Sequence, residues 1–186
     1  MKEPIYKKNH FLEGKKVYLR SFEKDDGSYL KIWLNNKKIN YYLEMGYRPY
    51  REKEVKEFTK MALESDSAIV FSILEKKKSK PIGTCGLYNL DFISKRGQLN
   101  IIIGNEEYIN DGYGKDSVNT LIKYGFERIG LNSIQLGVNA ENLRAIKSYK
   151  NAGFKVEGKR RQFIYCNNQF NDMIFMSILA AEYKKK

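Results

Sequence analysis

The chain has 186 residues, 42% of them hydrophobic, which suits about one domain with a closed core and excludes disorder by composition. No apolar run approaches the roughly 18 residues that a membrane-spanning helix needs, and the opening MKEPIYKKNHF lacks the apolar stretch of a secretory leader, so no membrane segment and a cytoplasmic location are expected. A net charge of +12 fits either a solvated lysine-rich surface or an anionic partner such as a nucleotide or a phosphorylated cofactor.

KVYLRSF (16–22) reads as a strand. DDGSYLKIWLNN (25–36) reads as a helix with Leu30, Trp33 and Leu34 on one face. EKEVKEFTKMALE (52–64) is a second helix, with Val55, Phe58, Met61 and Ala62 at helical spacing. AIVFSIL (68–74), KPIGTCGLYNL (80–90) and QLNIII (98–103) are rich in β-branched and apolar residues and suit successive strands. A glycine-containing segment then opens a helix running to about Ile129, with Val118, Leu121, Ile122, Phe126 and Ile129 as its apolar stripe. SIQLGV (133–138) alternates as a strand does, and a short helix from Asn142 to Asn151 ends before Gly153, a residue suited to a left-handed cap. FIYC (163–166) and MIFMSIL (173–179) flank Asn167-Asn168, good turn chemistry for a hairpin. No repeat, low-complexity tract or flexible linker interrupts the chain, so 1–186 is expected to be a single domain: a mixed α/β sheet of seven strands with helices on both faces.

The chemistry is concentrated in two segments. In YINDGYGKDSV, Gly112 and Gly114 sit where a helix begins. The first N–H groups of a helix have no partner inside it, and with the helix dipole they form an anion site. Glycines there let a phosphate approach the backbone with no Cβ in the way, although an ordinary strand-to-helix turn uses the same residues. The segment is neither a Walker loop nor a three-glycine dinucleotide fingerprint. In NAENLRAIKSYKNAGF (139–154), Asn142, Ala145, Ile146 and Tyr149 share one helix face, whereas Glu141, Arg144, Lys147 and Lys150 read as solvated. Tyr149 alone reads equally as a packed core tyrosine. His10 is the single histidine and Cys85 and Cys166 lie far apart, so neither a metal site, a Ser-His-Asp triad nor a disulfide is expected. The basic runs at 76–78, 159–161 and 184–186 are too scattered to make dedicated nucleic-acid binding the expectation.

Taken together, DGYGKD and NAENLRAIKSYKNAGF make the chain resemble the GNAT superfamily of acyl-CoA-dependent N-acyltransferases. The resemblance runs from KVYLRSFEKDD to the last hairpin. It is greatest to the branch with ribosomal-protein N-terminal acetyltransferases and spermidine acetyltransferases. The resemblance implies a mostly antiparallel seven-stranded sheet and acetyl-CoA as co-substrate. It also implies that backbone from Asn110 through Asp111, Gly112, Tyr113 and Gly114 to Lys115 cradles the pyrophosphate. Ile101 and Ile103 would pair with the pantetheine arm, Asn142 would contact the cofactor, and Tyr149 would protonate the departing thiolate as general acid. The family pattern departs at Ile109, where Gln or Arg is common, at Asp111, where a base is common, and at Gln98, where the branch often carries a Glu able to act as base through water.

The acceptor is expected to be a small-molecule amine or a peptide N-terminus, met near NYYLEMGYRPY (40–50), with Glu44, Tyr88 and Asn89 as candidate contacts. Polyamines, nucleotide-linked amino sugars and a ribosomal protein's amino terminus all remain open at this stage, as does a homodimer. The competing reading is a catalytically inactive GNAT-fold module that binds CoA or nucleic acid without turnover.

Overall fold

The computed structural model describes residues 10–183, without the side chains of Glu44 and Met45. The basic run at 184–186 lies outside the described residues. In chain order the strands are β1 (Leu12–Glu13), β2 (Val17–Ser21), β3 (Ile69–Glu75), β4 (Lys80–Asp91), β5 (Arg96–Ile103), β6 (Ser133–Asn139), β7 (Lys155–Cys166) and β8 (Gln169–Leu179). The helices are α1 (Gly27–Leu34), α2 (Lys37–Asn40), α3 (Glu52–Glu64), α4 (Tyr113–Tyr124), α5 (Leu143–Ala152) and α6 (Ala180–Tyr183).

The strands form one sheet in the order β1-β2-β3-β4-β5-β6-β8-β7. Every neighbouring pair is antiparallel except β5 and β6. Eight strands replace the expected seven, because Leu12–Glu13 pairs with Leu19 and Tyr18 at the sheet edge. A two-residue strand carries no hydrophobic period to read. The last hairpin is also longer than expected: β7 begins at Lys155 rather than at 163, and turns at Asn167-Asn168 into β8. Nearly all of β7 is exposed, so KVEGKRRQ lacks the alternation that marks a half-buried strand.

Two apolar layers cover the two faces. The first buries Val118, Leu121 and Ile122 of α4 against Leu99, Ile134 and Leu136, with Ala145, Ile146 and Tyr149 of α5 packed at its margin. The second buries Leu30, Trp33 and Leu34 of α1 with Phe22 and Val70, and gathers Phe58, Met61 and Ala62 of α3. The apolar stripes of these helices thus supply the contacts that their spacing predicts. β5 runs between the layers. Leu99, Ile101 and Ile103 belong to the first and Ile102 to the second, as strand alternation demands.

β5 and β6 hold register over three pairs only, Arg96/Ser133, Gly97/Ile134 and Gln98/Gln135. Beyond them β5 continues to Ile103 and β6 to Asn139 with no further pairing between the two. The Gly104 N–H donates to the Ile82 carbonyl on the β4 side (2.8 Å). Alternation from that bond turns the N–H and C=O of Leu99, Ile101 and Ile103 toward the gap.

At the end of β5, Gly104 lies flat against the Trp33 indole of α1. A Cβ there would come within 2.0 Å of the ring. Gly104→Ala therefore requires the indole and α1 to shift, at an expected cost of about 1–3 kcal/mol. Denaturant unfolding followed by the fluorescence of Trp33, the single tryptophan, should give a lower midpoint and an altered folded-state emission.

Candidate active site

The gap between β5 and β6 opens into a cavity of about 830 Å³. Its walls are Ile101 and Ile103 of β5, Ile109, Asn110 and Gly112 of the loop before α4, Gly114, Lys115 and Val118 of α4, and Asn142, Arg144 and Tyr149 on the α5 side. The loop is shaped by two residues with positive φ, Asn110 at 74° and Gly112 at 82°. At Gly112 a Cβ would meet nothing within 4 Å, so glycine serves the left-handed turn and leaves the backbone bare toward the cavity. The Asp116 N–H makes the first helical bond, to the Gly112 carbonyl (3.0 Å). The N–H groups of Tyr113, Gly114 and Lys115 come before it and have no partner inside the helix. Bare backbone, free N–H groups and the positive end of a helix dipole fit a pyrophosphate.

Two of the expected cofactor residues do not line this cavity with their side chains. The Asp111 carbonyl accepts a hydrogen bond from Lys16 Nζ (2.6 Å). The Tyr113 ring stands edge-on to Tyr108 at 5.1 Å, with Lys16 Nζ 5.2 Å from its centre. Both therefore contribute backbone to the turn, and the Asp111 carboxylate is not part of the wall. Arg144, which the helical pattern reads as solvated, instead reaches across to the loop. Its Nη1 donates to Asn110 Oδ1 (3.0 Å). On the opposite rim Lys38 pairs with Glu106 (2.8 Å), which also accepts from Asn36 Nδ2 (2.6 Å). The pair holds the Glu106 carboxyl below its ordinary range and raises the Lys38 ammonium.

A second cavity, of about 420 Å³, lies between the α1 and α3 layer and the far side of the gap. Gln98, Asn100 and Ile102 enter it from β5, Thr84 and Tyr88 from β4, and Val138 and Asn139 from β6. Leu30, Leu34, Phe58 and Phe175 supply apolar walls. Tyr88 is one of these lining residues. Asn89 is not: at φ 49° its Nδ2 donates to Gln98 Oε1 (3.0 Å) from outside. Glu44 starts a short 3-10 turn, and its side chain lies outside the described ones. Thr84, Asn100 and Asn139 come from three separate strands, and no local motif points to them.

Tyr149 and Asn142 are in the walls of both cavities. Asn142 caps α5, its Oδ1 accepting from the Ala145 N–H (3.2 Å). The carboxamide is thereby fixed with its NH₂ left over. Tyr149 packs edge-on against Phe154 at 5.8 Å, and burial pushes its phenol up to about 12. The Gly153 N–H caps the helix end on the Tyr149 carbonyl (3.1 Å), with Gly153 at φ 110°. The turn that follows brings Phe154 back under the tyrosine.

A sheet parted at its one parallel pair, with a helix N-terminus at the mouth of the gap, is the architecture of an acyl-CoA-dependent transferase. The sequence profile of the Acetyltransferase (GNAT) domain matches residues 16–155. The chain belongs to the GNAT acetyltransferase family and is an acetyl-CoA-dependent N-acetyltransferase. It is similar to the N-acetyltransferase p20 of Bacillus licheniformis, with 27% identity over 92% of this chain and 97% of that one. It is also similar to spermidine N(1)-acetyltransferase of Vibrio cholerae, with 27% identity over 89% of this chain and 94% of that protein. Among solved structures, spermidine N-acetyltransferase of Vibrio cholerae in complex with CoA and spermine superposes with a TM-score of 0.82. It is 25% identical to this chain and covers 91% of it and 98% of its own chain. Among the described residues, no helix is long and apolar enough to cross a membrane.

Burial gives two of the cavity tyrosines a measurable signature. Tyr149 and Tyr88 both have phenols raised above the ordinary value of 10. Their contribution to stability is complete below pH 10 and is lost as pH rises through the folded-state values, because the unfolded chain releases these protons first. Denaturation midpoints measured between pH 8 and about 12 should fall steeply above pH 10. In a Tyr88→Phe/Tyr149→Phe double variant the fall should be shallower.

Proposed function

We propose that the chain transfers an acetyl group to the primary amine of a small molecule, with the thioester in the larger cavity, the amine in the smaller one, and Tyr149 acting between them. The observation that carries this reading is that Tyr149 forms part of both walls. The activity of the Vibrio cholerae relative on spermidine supports a small-molecule amine as acceptor.

Acetyl-CoA supplies an acyl group activated as a thioester. Toward it, the N–H groups of Tyr113, Gly114 and Lys115 would hold the pyrophosphate, with the Lys115 ammonium adding charge. The open N–H and C=O groups of Ile101 and Ile103 would pair with the amides of the pantetheine arm, as a further strand would. Asn142 would offer its free NH₂ at the junction. The acceptor nitrogen attacks the thioester carbonyl, so that a C–N bond forms and the C–S bond breaks. One proton leaves the amine to solvent. The sulfur leaves with the proton of the Tyr149 hydroxyl, and solvent returns a proton to the phenolate, so that amide, free thiol and phenol result. A phenol raised to about 12 keeps its proton throughout the neutral range, so the donor is present at every turnover. The remaining acceleration is positional: two cavities that share a wall bring amine and thioester together.

Calorimetry should detect acetyl-CoA binding by the wild-type chain. Tyr149→Phe should leave that affinity unchanged and lower turnover roughly 100-fold or more. Unchanged turnover would remove Tyr149 from the mechanism. Binding with no transfer to any amine would identify a CoA-binding module instead, and absence of binding would overturn the reading altogether.

A further inference from the structure

The chemistry of the smaller cavity differs from what a polyamine requires. A polyamine carries a positive charge at each nitrogen, and enclosing several charges requires carboxylates to meet them. Every described side chain that lines this cavity is uncharged. On its α3 side the lining residue Tyr50 donates its hydroxyl to the Glu54 backbone carbonyl (3.3 Å). The Glu54 carboxylate is already held by Arg48 (3.2 Å) and Arg51 (2.5 Å). The Arg51 guanidinium, with backbone N–H groups of Glu54 and Arg51, holds this carboxyl at about 2, so the charge already has partners. The chain as a whole carries +12, which adds a repulsive field against any polycation.

The polar groups that are present are carboxamides and hydroxyls. Gln98 Oε1 already accepts from Asn89 Nδ2, which leaves the Gln98 NH₂ as the donor of this carboxamide. A donor is wrong for an ammonium and right for a hydroxyl oxygen. Among the described residues none hydrogen-bonds the Asn100 side chain, so its carboxamide can both give and accept. Around these lie aromatic faces, Tyr88 and Phe58 on one side and Phe175 on the other. Hydroxyls that both donate and accept, on a ring with apolar C–H faces, describe an aminated sugar. A cavity of about 420 Å³ is of the size that holds one small ligand.

Resting on the assignment of this cavity to the acceptor, we infer that the acceptor is an amino sugar, recognised through Gln98 and Asn100, and not a polyamine. The Asn100 carboxamide bonds ring hydroxyls, and the tyrosine and phenylalanine faces cover the C–H surface. The amine points to Tyr149.

The test uses the full chain with acetyl-CoA and follows CoA release. Glucosamine, spermidine and an alanyl dipeptide amide are compared, and acetyl-CoA binding is measured separately by calorimetry. Glucosamine should exceed spermidine in kcat/KM by about tenfold or more. Asn100→Asp, which keeps the shape and adds the missing carboxylate, should shift the preference toward spermidine while acetyl-CoA affinity stays as it was. Equal or better use of spermidine or the peptide amide by the wild-type chain overturns the inference and leaves the acetyltransferase reading standing. Acetyl-CoA binding with no transfer to glucosamine overturns it as well. Absence of acetyl-CoA binding overturns both.

Discussion

The parting of β5 from β6 after Gln98 and Gln135 is the constraint on which the site depends. Two parallel strands that stayed paired to their ends would satisfy their own backbone groups and leave nothing between them. Here the pairing stops, and the N–H and C=O groups of Ile101 and Ile103 are left facing the gap with no β6 partner among the described residues. Both cavities are consequences. One fills the gap from the α4 and α5 side and the other from the α1 and α3 side. Tyr149 meets both because α5 follows directly from the end of β6, the strand that has diverged.

The same geometry separates two electrostatic environments. The larger cavity has a helix N-terminus, Lys115 and Arg144 in its wall, all favourable to anionic phosphate. The smaller has amides, hydroxyls and apolar rings. Between them a phenol is buried deeply enough to hold its proton far above neutral pH. The cationic groups are thus set at the larger cavity, and the wall that Tyr149 shares with the smaller one is uncharged on the latter's side.

Much of this is legible in the sequence wherever the information is local. The stripes of α1 and α3 are complete in their apolar spacing, whereas the helix expected to reach Ile129 ends as α4 at Tyr124 and gives way to a wider π-helical turn over Gly125–Ile129; the left-handed cap at Gly153 follows from residue type. Gly112, Gly114, Asn142 and Tyr149 lie in two short segments, so a motif carries them. β1 was not legible because two residues carry no period. The start of β7 was hidden because a strand exposed along nearly its whole length has no apolar alternation. The reach of Arg144 to Asn110 depends on a loop with two left-handed residues, which spacing on α5 cannot express. Thr84, Asn100 and Asn139 meet only after three strands have paired, so the character of the smaller cavity is a property of the register.

Asp116, in the first turn of α4, accepts the N–H groups of Lys15 (3.1 Å), Lys16 (2.7 Å) and Val17 (3.2 Å). Its partners lie 99 to 101 residues earlier in the chain. Lys16 also ties itself to the Asp111 carbonyl, so the turn between β1 and β2 braces the loop that carries Gly112. Closing a chain segment of that length costs entropy that no local contact offsets. The anion cradle is therefore finished by the most distant part of the polypeptide. A nascent chain that has made its first strands and helices still lacks it, and the shape of the Gly112 loop arrives together with long-range closure of the fold.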